Sequence, residues 1–185
     1  LARERQEYDK RKTIITYANY RNILVITQPS LNSCVHVLDG AHPEFSNGER
    51  DLIQEIGPYS EVELVLADET PHTPPTVVFG PEPDHGWCYF YQIADLARQR
   101  GEWEKVLEIG GQAFEQGLEP KDLIEWMPFL QAYAVDGDIN RLTDLAPIIT
   151  VDPYISQQAC QTLGGMTGIS EPVRDVVNAS YCVEQ

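Results

Sequence analysis

The sequence predicts an α+β protein in two parts, a small α/β lobe followed by an all-α stack of antiparallel helical hairpins. Three observations predict it. Apolar residues occur in short runs and alternations up to about residue 84, and at i, i+3, i+4, i+7 after it. Five prolines (Pro71, Pro74, Pro75, Pro81 and Pro83) mark the change, and a chain so poor in backbone donors is held extended as a stiff connector. Two helical hairpins beyond it are related by a shift of 36 residues. A chain of 185 residues and 20.9 kDa buries roughly 70% of its unfolded surface, so its core needs no staples.

Residues 1–19 are read as a basic leading helix, 20–83 as the α/β lobe with its connector at 71–83, and 84–185 as the helical domain. In the lobe, Asn22–Thr27 is a continuous apolar run stopped by Gln28-Pro29-Ser30. Cys34–Leu38 alternates up to the Asp39-Gly40 turn signal. Glu49–Ile56 has the spacing of a short helix, stopped by Gly57-Pro58. Glu61–Leu66 alternates as a strand with one wet face, and Thr76–Phe79 reads as a last short strand. Helices are expected at 86–100, 103–116, 121–135 and 138–149, with Gly101, Gly117 and Gly137 between them. Two weaker ones are expected at 153–163 and 172–181. Loops this short force antiparallel neighbours.

Charge narrows the function classes. Thirteen Lys and Arg against 29 Asp and Glu give −16 and a pI near 4.4. A field of that sign repels phosphate backbones and anionic lipid, so nucleic-acid binding is not expected. Residues 1–21 are the exception at +3, leaving −19 for 22–185; such a head is either a solvated helix or the flank of a membrane segment. No apolar run reaches about 18 residues, so nothing here is expected to span a bilayer as a helix. The chain opens Leu-Ala-Arg-Glu-Arg in mid-pattern, with neither initiator methionine nor signal peptide, and is read as a piece of a longer protein. Cys34, Cys88, Cys160 and Cys182 contain no zinc-like pairing, and four cysteines allow three connectivities. Cys34–Cys88 with Cys160–Cys182 is one option; four buried free thiols is the other.

Overlaying Gly101 on Gly137 puts Phe90 on Trp126, Ile93 on Phe129, Ala94 on Leu130 and Ala97 on Tyr133. In the second helices, Trp103 falls on Ile139 and Val106 on Leu142. Every matched position is apolar, one buried stripe per helix, and stacking one hairpin on the next buries what a lone hairpin leaves open. Trp126-x-x-Phe129-Leu130-x-x-Tyr133 resembles the W-x2-L-G-x2-Y of the tetratricopeptide (TPR) repeat family. Gly101, Trp103, Ala113 and Pro120 stand where that family has its loop glycine, aromatic, small alanine and closing proline. The resemblance covers about 86–149. The 36-residue period exceeds the usual 34, Leu130 replaces a small residue, and Pro128 falls inside an expected helix at a cost of about 3 kcal/mol. The resemblance implies a groove lined by Tyr91, Asp95, Arg98 and Gln99 in the first unit and Met127 and Gln131 in the second, gripping a peptide. The competing reading is that these side chains face the α/β lobe.

A looser resemblance spans most of the chain. Ser33-Cys34-Val-His-Val-Leu-Asp39 with Phe79-Gly-Pro-Glu-Pro…Trp87-Cys88-Tyr…Ala94-Asp-Leu-Ala97 looks like the soluble C-terminal region of polytopic bacterial membrane proteins, some of them glycosyltransferase-like with lipid-linked sugars. It implies an extracytoplasmic Cys34–Cys88 disulfide, whereas the basic head favours the cytoplasmic side.

Chemistry within the chain is sparse. His36-x2-Asp39-x2-His42 has metal-ligand residue types; Asp68, Glu69 and His72, and Glu82, Asp84 and His85, are acid/base-capable loop clusters. No phosphate-binding glycine motif, nucleophile elbow or HExxH occurs. The expected function is therefore a non-catalytic interaction or accessory domain of a larger bacterial membrane protein, without a cofactor. Its expected partner is a protein, a peptide or the parent's own membrane domain, with the membrane reached only through an upstream region. The alternatives are the extracytoplasmic C-terminal domain of a lipid-linked-sugar glycosyltransferase whose catalytic residues lie elsewhere, and a metal-dependent enzyme using the His36–His42 region.

Overall fold

The computed structural model describes residues 6–19, 22–65 and 73–182. It is α+β: a β-hairpin, a small irregular lobe, then six packed helices. The expected leading helix is a hairpin instead. β1 (Gln6–Arg11) pairs antiparallel with β2 (Ile14–Asn19), Tyr8 opposite Tyr17 and Lys10 opposite Ile15. Tyrosines and the β-branched run Ile14-Ile15-Thr16 suit a pleated ribbon better than a helix, and Lys12 takes the left-handed turn conformation at φ 56°.

The lobe is less regular than its alternation suggests. β3 (Ile26–Thr27) and β4 (His36–Val37) are two residues each and pair antiparallel. The rest of the 22–27 run is held by mixed bonds: Val25 N–H donates to Ser60 Oγ at 2.9 Å and Ile23 N–H to Glu61 Oε2 at 3.3 Å, while the Val25 and Ile23 carbonyls accept the Leu38 and Glu61 N–H at 3.0 and 2.7 Å. α1 (Asp51–Ile56) forms as expected, and Val25, Leu38 and Ile53 make a small core. The strand expected at 61–66 is a 3-10 turn, Val62–Leu64, with residue 66 outside the described residues. That expected at 76–79 is one helical turn, α2 (Thr76–Phe79), because the Pro75 carbonyl accepts from both Val78 and Phe79 N–H. Neither segment has, among the described residues, a partner strand to satisfy its backbone groups. Pro71 and the loop trio Asp68, Glu69 and His72 lie outside the described residues.

The helices fall close to where the period places them: α3 (Trp87–Gln99), α4 (Trp103–Glu115), α5 (Met127–Asp136), α6 (Ile139–Ile149), α7 (Pro153–Gly165) and α8 (Glu171–Ser180). Gly101, Gly117 and Gly137 between them take φ of 70°, 70° and 85°, where a Cβ would be strained. Pro128 does not break a helix. The segment begins with a 3-10 turn, Leu123–Trp126, and α5 starts at Met127, so Pro128 sits in a first turn where no amide is required.

α3, α5 and α7 form one layer, with α4, α6 and α8 packed behind it. α5 touches α3, α4, α6 and α7, and accordingly it is apolar nearly all round, Met127 to Ala132 being buried. Of the residues matched by the 36-residue shift, Phe90, Trp126, Phe129, Ala94, Leu130, Ala97, Val106 and Leu142 are buried. Close approach has one evident device: a Cβ on Gly110 would lie 2.8 Å from the Phe129 ring. Phe129 in turn packs with Trp87, Phe114 and Trp126 at centroid separations of 5.4–6.3 Å.

Candidate functional site

The face made by α3, α5 and α7 carries the residues expected to line a groove, and the chain's own segment 33–45 lies on it. Each helix contributes a glutamine. From α3, Gln99 Nε2 donates to the Val37 carbonyl at 3.2 Å; from α5, Gln131 Nε2 donates to Glu44 Oε1 at 2.8 Å. From α7, Gln158 donates to the Phe45 carbonyl and accepts its N–H, both at 2.8 Å. A primary amide is both donor and acceptor, so a row of them can hold extended backbone as a neighbouring strand would.

Charges lie beneath this row. Arg98 Nε donates to Asp95 Oδ1 at 2.7 Å, and Gln99 gives a second bond to Asp95 Oδ2 at 3.0 Å. Tyr91, Asp95, Arg98, Met127 and Gln131 are all buried. Tyr91, Asp95 and Arg98 line one small space under the N-terminal segment, and Arg98 and Gln131 also border a wider cleft beside it. The space left among His36, Glu44, Tyr91, Asp95 and Arg98 is about 10 Å³, room for about one water molecule.

Burial pushes the Glu44 carboxyl up from 4.5 to about 7, against the pull of Arg98 and the Thr162 hydroxyl and helped by Asp95 and Asp39. Burial also holds the Tyr91 hydroxyl well above its usual range. For Arg98 burial acts downward, yet Asp95 and Glu44 carry it above its ordinary value and it stays charged. The raised Glu44 value makes stability fall with rising pH. Below pH 4.5 the group is neutral folded or unfolded. Between 4.5 and 7 only the unfolded chain ionises, which removes up to about 3 kcal/mol. Glu44→Gln should lack this loss, so the difference between its unfolding free energy and that of the wild type should widen from pH 4.5 to 7 and then level off. Parallel curves would show that Glu44 does not titrate differently on folding.

The second cluster centres on Glu125, fully buried on the 3-10 turn that precedes α5. Oε1 accepts the Cys34 N–H at 2.6 Å and lies 3.2 Å from His36 Nε2, which must be the donor because a carboxylate only accepts. Oε2 accepts the Trp87 indole N–H at 2.6 Å. Asp122, one turn earlier, accepts the Ser33 hydroxyl on Oδ2 at 2.6 Å and the Ile124 N–H on Oδ1 at 3.4 Å. Cys34 and Cys88 are bonded to each other, fixing the same segment to the start of α3, and Cys160 is bonded to Cys182 beyond α8.

His36, Asp122 and Glu125 offer ligand atoms within 4.8 Å of one another and are, among the described residues, the one group with a metal-like donor set. His36, Asp39 and His42 line the same small space beside Glu44, but among the described residues their ligand atoms do not form a group within 4.8 Å of one another. All four oxygens of Asp122 and Glu125 already accept protein donors, so a cation would have to displace them. Of the other loop cluster, Glu82 and His85 make an exposed pair at 2.8 Å, with His85 stacked on Tyr89. Sequence reasoning missed Glu44, Asp122, Glu125 and Gln158. For Glu125 a signal existed: a lone carboxylate in the apolar run Ile124-Glu125-Trp126-Met127 is expected to be buried and paired.

No helix of the described residues is long and apolar enough to cross a membrane. Comparison with family profiles, curated proteins and solved structures found no match to this chain.

Proposed function

We propose that this chain is a non-catalytic interaction or accessory domain, TPR-like in its helical part, belonging to a larger membrane-anchored protein and standing outside the cytoplasm. The observation that carries the reading is the glutamine row of α3, α5 and α7 closed over segment 33–45. A groove with the residue types of a peptide-binding face already holds a segment of its own chain. The carboxylates that chemistry would need are engaged by protein donors. The 36-residue correspondence of buried apolar positions supports the TPR-like part, and two disulfides favour an oxidising compartment.

A partner then meets the outer surface. A cleft of about 960 Å³ lies between Gln28–Ser33, the start of α3 and the 117–121 loop; Leu31 stands fully exposed there, beside Tyr89 at 40%. Exposed apolar side chains around a concavity are the usual mark of a protein contact. A photocrosslinking residue placed at Leu31 of the protein in its native membrane should give a discrete protein adduct, or a crosslink within the parent. The same residue at Glu108, exposed on α4, should give none. Equal labelling at both sites, or none at either, would contradict the assignment.

A further inference from the structure

A second concavity, of about 630 Å³, opens where the Gly101, Val135 and Gly165–Thr167 ends of the helical hairpins meet the Asp39–His42 turn. That is within the size range of small-molecule sites. We infer that this cleft binds a neutral saccharide, with Trp103 as the stacking platform and Gln99, Gln131, Gln161 and Arg98 as the hydrogen-bonding wall.

The donor and acceptor inventory points to hydroxyl groups. Gln99 gives both amide hydrogens to the protein, which leaves its carbonyl oxygen as an acceptor. Gln131 gives one hydrogen to Glu44 and keeps the other. Gln161, exposed on α7, makes no hydrogen bond among the described residues, and neither does the indole N–H of half-buried Trp103. Fixed acceptors beside fixed donors suit a ligand whose every polar group does both, as a sugar hydroxyl does. The ring C–H face of a pyranose is apolar, which suits the exposed part of an indole. Gln99, Gln131 and Arg98 are held by the network beneath them, so little ordering remains to be done on binding.

Charge selects against ions. Arg98, the one buried cation in the wall, is already matched by Asp95 at 2.7 Å, Asp39 is among the lining residues, and the chain as a whole is at −16. A carboxylate or phosphate ligand would find no unbalanced positive charge. The inference does not depend on the parent protein proposed above.

The test is saturation-transfer NMR on the whole oxidised chain with glucose, galactose, mannose and N-acetylglucosamine, and with glucuronate as the anionic comparator. Two variants accompany it. Gln161→Ala removes a side chain that makes no bond in the described protein. Gly165→Leu fills the cleft at a position where a Cβ meets nothing within 4 Å. At least one neutral sugar should bind saturably; Gln161→Ala should weaken it about tenfold with the melting temperature unchanged, and Gly165→Leu should abolish it. The inference is overturned if no neutral sugar binds up to about 50 mM. It is equally overturned if glucuronate binds more tightly than every neutral sugar, or if both variants leave affinity unchanged.

Discussion

Glu125→Ala should cost about 4 kcal/mol, because it leaves the Cys34 N–H, the Trp87 indole N–H and His36 facing an apolar space in the interior. At this chain length the melting temperature should fall by about 10 °C. Glu125→Gln should lose less: its carbonyl can serve the Cys34 and His36 side, but its amide hydrogens then face the Trp87 N–H, donor against donor. The order wild type, Gln, Ala in thermal unfolding is the expected result. An Ala variant within 1 kcal/mol of the wild type would mean that the cluster is not closed in solution.

The disulfides carry the second large effect. The Cys34–Cys88 link spans 54 residues and Cys160–Cys182 spans 22. On the chain-entropy scale, removing them should cost about 4 and about 3 kcal/mol respectively. The first also releases the segment that covers α3, so the Cys34→Ala/Cys88→Ala chain should show faster hydrogen exchange through residues 33–45 as well as a lower melting point. The Cys160→Ala/Cys182→Ala chain should show its change at α7 and α8. Protein made in an oxidising compartment should take up no alkylating reagent until it is reduced, and then four equivalents. Uptake before reduction in the denatured chain would remove the support for an extracytoplasmic site.

The helical part was legible in the sequence because apolar residues recur at helical spacing through its first four elements and glycines at positive φ punctuate it. Even there the start of α5 moved, since Pro128 is compatible with a first turn and not with an interior one. The lobe was legible only in part. The alternation at 61–66 and the β-branched run at 76–79 signal a strand only if another strand lies alongside, and that is a property of the fold rather than of the segment. The groove residues Tyr91, Asp95, Arg98, Gln99 and Gln131 could be placed on one face by register. That they face the α/β lobe was one of the two readings of the sequence; their individual partners could not be read, because the bonds to segment 33–45 join single side chains to backbone or carboxylate across 62 to 113 residues and leave no period to read. The partners of Glu125 were hidden for the same reason: its donors come from two separate places, the Cys34–His36 segment and Trp87.

That the groove is filled by the chain itself is most directly tested by hydroxyl-radical footprinting of the native protein, comparing Tyr89 and Tyr91. The two tyrosines are neighbours on α3 and equal in chemistry; Tyr89 is 40% exposed and Tyr91 6%, beneath the covering segment. Rapid modification of Tyr89 with Tyr91 protected until the protein is reduced and unfolded is the expected outcome. Modification of Tyr91 at the rate of Tyr89 in the native, oxidised chain would show an open groove and contradict the account.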